Sequence, residues 1–340
     1  MKTMFFRILA AALLGGLVMG CSNPKKERTS ERISEPIVVH FGDQAYPEVI
    51  LAQEKGFFEE ELKQYNATVK ILEFQSGPPQ VEALAAKELD FASFGEQPAI
   101  QAIASGVSLK IVSGILDGAL GFGLIARADS GIKVVKDIKG RKIAAPAGSS
   151  AYHLLTVMLE KSGLTFDDIE FVNLSIGSIT PSLIAGHVEG AVAYGQVFTN
   201  PPVDEGIVQI NSGFGYKRGL ALIAGRTEFL EKYPDITVAV LRALQKAAKW
   251  RVDHYDETLD ILSNFLGFDK IVIEMSIPTA VTLLKLDDAA KDEVLMSVDL
   301  LFRTEILSER FTAEQLFDDK YAVAAGLETY PGWGADKVNN

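Results

Sequence analysis

The 340 residues are 48% hydrophobic and 23% charged, the balance of a globular chain long enough for two ordinary domains. A formal charge of −12 argues against a nucleic-acid partner, because no Lys/Arg excess exists to replace phosphate counterions. It leaves room for an anionic small ligand, which senses the local field and not the net charge.

The chain opens with Lys2 and Arg7, followed by an apolar and glycine stretch from Ile8 to Met19. That run is too short to span a bilayer, which takes about 20 residues, and has the form of a secretory signal. It closes on Val18-Met19-Gly20-Cys21, which resembles a bacterial lipoprotein cleavage box. The resemblance implies a signal peptide over 1–20 and an acylated Cys21 that anchors the protein to a membrane. Cys21 is the only cysteine, so an internal disulfide and a cysteine-based zinc site are both excluded. Residues 21–36 are polar, charged and without apolar periodicity, and read as a lipidated, solvated tether.

Folding is expected to begin at Ile37. Ile37–Val39 reads as a strand, Val49 to about Gly56 as a helix, Val69–Phe74 as a strand and Val81–Ala85 as a helix. Phe91–Phe94 is a strand, Pro98–Ile103 a helix and Leu109–Val112 a strand. This β-α-β-α-β-α-β order predicts a parallel sheet whose ligands bind beyond the carboxyl ends of its strands. Three loops fall there: Asp43–Pro47, Ser76–Pro79 and Gly95–Pro98. A glycine-containing apolar strand over 120–126 then leads into a second βα series. Its strands are expected near Lys142–Ala145, Ile169–Leu174, Val188–Tyr194 and Val208–Ile210. Gly219–Ala224 mirrors the earlier crossing, and Glu228–Tyr330 reads as mainly helical. The result is an α/β chain of two halves, the second inserted in the first, with a cleft between them.

The segment 141–163 is the most informative. Lys142–Ala145 is a strand, Pro146–Gly148 breaks it, and Ser149 and Ser150 stand at a helix start. Leu154, Leu155, Met158 and Leu159 then recur at helical spacing. The free N–H groups of such a start, with the aligned peptide dipoles, favour an anion by about 0.3–1 kcal/mol, rising to ~2 when partly buried. Three starts converging on one cleft, at Pro78, Pro98 and Ser149, would contribute ~1–6 kcal/mol.

Five segments carry a resemblance over about Ile37 to Leu266: Gln53–Phe58, FQSGPPQVEALAAKELD at 74–90, FGEQPAIQA at 94–102, VVKDIKGRKIAAPAGSSAYHLL at 134–155, and SLIAGHVEGAVAY at 182–194. In their order and spacing they resemble the periplasmic substrate-binding proteins of ABC importers, in the aliphatic sulfonate, taurine and nitrate group. The resemblance implies a two-lobed periplasmic-binding-protein fold of type II, with two hinge strands and a central ligand cleft. It implies lobe I over 37–122 and 219–331, lobe II over 123–218, and a loose tail over 332–340. It also implies an ABC permease with its ATPase as partner, and no catalysis.

The resemblance places ligand contacts at Gln44 and Tyr46, at Ser76 and Gly77, at Gly95 and Glu96, at Ser149 and Ser150, and at Tyr194. Where members commonly read Trp-acid-Pro, this chain reads Tyr194-Gly195-Gln196, so Glu96 is left as the acid for an amino group. Sulfonates lead as ligand, and nitrate ranks lower. A thiamine-precursor pyrimidine or another flat heterocycle, sandwiched by Tyr46 and Tyr194, is the alternative. A tethered sensor without a permease is a further one. The histidines, His40, His153, His187 and His254, show no metal spacing and read as structural or exposed. No cofactor is expected, and the absence of cysteine after Cys21 removes the iron chemistry of the related fungal thiamine-pyrimidine synthase.

Overall fold

A computed structural model describes residues 35–276 and 282–330. The expected signal, Cys21, most of the tether and the tail lie outside the described residues. The first series runs β1 (Ile37–Asp43), α1 (Pro47–Glu54), α2 (Phe57–Leu62), β2 (Ala67–Glu73), α3 (Gly77–Ala85), β3 (Phe91–Gly95), α4 (Glu96–Ala104) and β4 (Leu109–Asp117). The second runs β5 (Phe122–Arg127), β6 (Lys142–Ala145), α5 (Ser150–Lys161), β7 (Glu170–Asn173), α6 (Ile176–Ile184), β8 (Gly190–Tyr194), α7 (Gln196–Thr199) and β9 (Ile207–Ser212). The chain then returns through β10 (Leu220–Arg226) to α8 (Thr227–Lys232), α9 (Pro234–Asp253), α10 (Tyr255–Leu266) and α11 (Lys270–Ser276). After these come β11 (Thr282–Leu283), α12 (Asp288–Arg303), α13 (Ala313–Leu316), α14 (Lys320–Ala325) and β12 (Thr329–Tyr330).

Two five-stranded sheets result, ordered β2-β1-β3-β10-β4 and β7-β6-β8-β5-β9. Each is covered on both faces by helices, so its strands are apolar on both sides. Phe91–Gly95 and the first five residues of β5 are buried throughout. In the first sheet Phe41 stacks on Phe91 at 5.9 Å under α2 and α8, while Leu84, Leu89, Ile100 and Ile111 fill the opposite face.

The strands of each βα series pair in parallel as expected, β1 with β2 and β3 and β6 with β7 and β8, and only the crossing strands make the sheets mixed. β10 runs antiparallel to both β3 and β4, and β5 antiparallel to both β8 and β9. The physical reason is the crossing itself: a strand that carries the chain from one sheet to the other enters its new sheet from the cleft end. The first helix stops, as expected, near Gly56. Its φ of 72°, left-handed, ends α1, and the chain restarts as α2, whose Phe58 and Leu62 are buried.

The two crossings run side by side. Gly118 N donates to Gly219 O at 3.0 Å, and a Cβ on Gly219 would stand 2.6 Å from Gly118 O. Arg218 donates from Nε and Nη2 to Asp117 Oδ2 at 2.9 and 2.7 Å, tying one crossing to the other. Among the described residues no helix is long and apolar enough to cross a membrane.

Candidate functional site

The cleft is built from helix starts. α3 begins at Gly77, α4 at Glu96 and α5 at Ser150. Each follows a strand directly, so the first N–H groups of each helix emerge at the carboxyl end of its sheet. The three starts meet. A Cβ on Gly77 would stand 2.3 Å from Pro98 Cγ, and one on Gly148 would stand 2.9 Å from Gln101 Oε1. A Cβ on Gly95 would stand 1.8 Å from Ser150 Oγ. The last two contacts join the first sheet's lobe to the second's.

The structure brings most of the residues singled out in the sequence to this place. Tyr194, at the end of β8, reaches across the cleft: its hydroxyl lies 3.4 Å from Gln75 O, beside the Ser76 side chain. Burial pushes its ionisation above the ordinary range. Tyr46 is shifted upward too, by burial first and then by the charges of Asp43, Tyr194 and Glu96. Its N–H donates to Asp43 Oδ2 at 3.1 Å. Two residues are already engaged within their own lobe. Gln44 Nε2 donates to Ser93 O at 3.1 Å, and Ser149 is the N-cap of α5, donating to Pro146 O at 2.7 Å and accepting from Tyr152 N at 3.4 Å. Ser150 has no hydroxyl partner among the described residues.

Glu96 is the centre of the site's electrostatics. It is fully buried at the first position of α4. Lys217, from the crossing between β9 and β10, ion-pairs with its Oε1, and His153 Nδ1 of α5 stands 3.4 Å from the same oxygen. One lobe, the other lobe and the hinge thus each supply one member. Burial alone would raise the Glu96 carboxyl; the Lys217 charge and hydrogen bond, with His153 beside the same oxygen, outweigh it and hold the carboxyl at about 2. Burial pushes His153 down, toward its neutral form. The expectation of His153 as structural or exposed is thereby sharpened: it is buried, and it lies in the cleft. Glu96 Oε2 is left buried without a partner among the described residues.

Asp43, Gln97, His153 and Lys217 were not singled out as site residues in the sequence. Asp43 ends β1; its Oδ1 accepts from Ser93 Oγ at 2.5 Å and its Oδ2 from Tyr46 N at 3.1 Å, and burial still raises its pKa to about 7. Lys217 stands 121 positions from Glu96, so no local pattern joins them. The one available signal was a lone lysine in the glycine-rich stretch Ser212–Gly219. No cluster of His, Cys, Asp and Glu suited to a metal ion exists among the described residues.

The sequence profile described as NMT1/THI5 like matches residues 46–258. The chain belongs to this family. A Bacillus subtilis protein provisionally named for binding aliphatic sulfonates is 31% identical to this family member over 296 residues, which are 86% of this chain and 88% of that one. The alkanesulfonate-binding protein SsuA of Xanthomonas axonopodis pv. citri, solved bound to MOPS, superposes with a TM-score of 0.76 at 23% identity. The match covers 84% of this chain and 99% of that one. The periplasmic aliphatic sulphonate binding protein of Escherichia coli gives a TM-score of 0.72 at 21% identity, over 84% of this chain and 93% of that one. The structure of this NMT1/THI5-like protein therefore has the periplasmic-binding-protein fold, with its cleft where the three helix starts meet.

Proposed function

We propose that the protein is an extracytoplasmic receptor that takes up a small organic anion, a sulfonate, between its lobes and delivers it to an ABC permease with its ATPase. On this reading it binds without catalysing, and it is held at a bacterial membrane through an acylated Cys21 after removal of residues 1–20. Lobe I then comprises 37–122 and 219–331, and lobe II 123–218. The single observation that carries the reading is the convergence of the α3, α4 and α5 starts on one gap. Peptide N–H groups and helix dipoles there favour an anionic head group without a surplus of positive side chains. That suits a protein whose formal charge is −12. The names of the relatives support the ligand class.

The ligand contacts in this reading are Tyr46, Ser76, Gly77, Gly95, Glu96, Ser150 and Tyr194, with Ser149 presenting its end of α5 and Gln44 bracing Ser93 beneath the site. Glu96 plays a different part from the one expected for an acid facing an amino group. Lys217 already neutralises it, so the cleft floor does not repel an anion. The flat-heterocycle alternative keeps one supporting observation, the buried Glu96 Oε2, which has no partner among the described residues and could accept from a ring N–H.

Titration calorimetry with ethanesulfonate, taurine and MOPS tests the proposal. Micromolar or tighter binding, about 8 kcal/mol, is expected for at least one of them. No heat with any sulfonate would overturn it.

A further inference from the structure

Gln97 is the residue after Glu96, in the first turn of α4. It is fully buried, and neither its Nε2 nor its Oε1 has a partner among the described residues. A buried primary amide without partners is rare in a folded protein, since it forgoes the hydrogen bonds it made with water. Its direction follows from the helix. Gln101, one turn later on the same stripe, lies against Gly148 of the opposite lobe, where a Cβ would meet Gln101 Oε1 at 2.9 Å. Residues four apart on a helix share a face, so Gln97 faces the same gap. It does so next to the Gly95–Ser150 approach. Its neighbour Glu96 leaves a second buried acceptor, Oε2, open as well. Ser150 Oγ of the opposite lobe stands against Gly95, the residue before Glu96.

We infer that Gln97 is a ligand contact that sets specificity. The orphaned atoms provide one N–H donor group and two acceptors, Gln97 Oε1 and Glu96 Oε2, within a single turn of α4. The ligand that completes them carries an O–H or N–H donor close to an acceptor oxygen. A plain alkanesulfonate offers oxygens only, and leaves both acceptors unmatched. A sulfonate with a hydroxyl or amino group on its short chain matches them. A site built to hydrogen-bond a donor discriminates strongly against an analogue lacking it, because the buried partner is then left unpaired.

This inference rests on the sulfonate reading and deepens it, and the test separates the two. Parent and Gln97→Met proteins are unfolded and refolded to strip any carried ligand. Their melting temperatures are compared, and each is titrated with 2-hydroxyethanesulfonate and ethanesulfonate. The parent is expected to prefer 2-hydroxyethanesulfonate by about tenfold or more. The variant loses that preference, its affinity for 2-hydroxyethanesulfonate falling about tenfold more than its affinity for ethanesulfonate. The ligand-free variant melts at or above the parent, because an unpaired amide has been replaced by an apolar chain of similar length. Equal affinities for the two sulfonates in the parent, a preference that survives Gln97→Met, or a ligand-free variant that melts several degrees lower would each overturn the inference. The last result would mean that the amide is held within the protein. If neither sulfonate gives heat, the sulfonate reading falls, and the melting comparison decides for Gln97 on its own.

Discussion

Glu48 and Glu96 are both buried carboxylates paired with a cation, and both keep one oxygen without a hydrogen-bond partner among the described residues. Their settings differ. Glu48, on α1, pairs with Arg251 Nε of α9 at 2.9 Å and accepts from Thr282 Oγ1 of β11 at 2.5 Å, so every member lies on one side of the cleft. Glu96 draws its partners from the hinge and from the other lobe. A charge pair inside one lobe is sealed by packing that no hinge motion can open. A pair that spans the cleft is dry only while the lobes are together. The first braces a lobe, and the second makes the dryness of the site depend on closure.

The largest effect that would break this comparison comes from removing the cation in each. Arg251→Ala strands Glu48 in the core and is expected to cost about 3–5 kcal/mol of stability. Lys217→Ala strands Glu96 where lobe opening admits water, and about 1–2 kcal/mol is expected. Denaturant titration of both variants measures the difference. Equal losses would show the cleft pair to be as sealed as the core pair.

Gly95→Ala is expected to act next in size, and on binding. Gly95 has φ −68° and ψ 165°, which alanine adopts freely, so only the opposite lobe objects. Rotating Ser150 moves its hydroxyl but leaves Cβ to Cβ at 3.1 Å. Affinity for the best sulfonate should fall about tenfold, some 1.4 kcal/mol, with the melting temperature of the ligand-free protein little changed. Adding Ser150→Gly should recover most of the loss. Calorimetry on the single and double variants decides, and a double variant no better than the single would remove inter-lobe contact as the cause.

The remaining test is a pH slope. Burial raises Asp43 to about 7, so folding takes up a proton between the free carboxyl value of 3.8 and that point. Its contribution to stability therefore falls as pH rises through this window. Glu96, held low, slopes the other way and loses stability only as pH drops below the ordinary carboxylate range. Asp43→Asn should melt closer to the parent at pH 4 and gain on it toward pH 8. Parallel melting curves across that range would contradict the assignment.

What could be read in the sequence was what is local in the chain. The strand Lys142–Ala145, the turn and the Ser149 cap of α5 follow from neighbouring residues, and they are found as expected. The antiparallel placement of β5 and β10 was not legible, because apolar runs such as Leu220–Ala224 carry no sign of strand direction. Glu96 was visible as a site residue through the resemblance, but its partners were not. Lys217 and His153 come to it through the hinge and the far lobe, and no spacing encodes such a meeting. Gln97 was missed for a related reason: a glutamine in a helix's first turn looks like solvent-facing polarity until its burial is known.

The central claim is that two lobes shut on a small anion at the α3, α4 and α5 starts. Small-angle scattering of the protein, stripped of ligand and then saturated with a sulfonate that gives heat in calorimetry, tests it most directly. The account predicts a smaller radius of gyration on saturation, and in Gly95→Ala the same contraction only at about tenfold higher ligand concentration. An unchanged radius in the parent at full occupancy would contradict it.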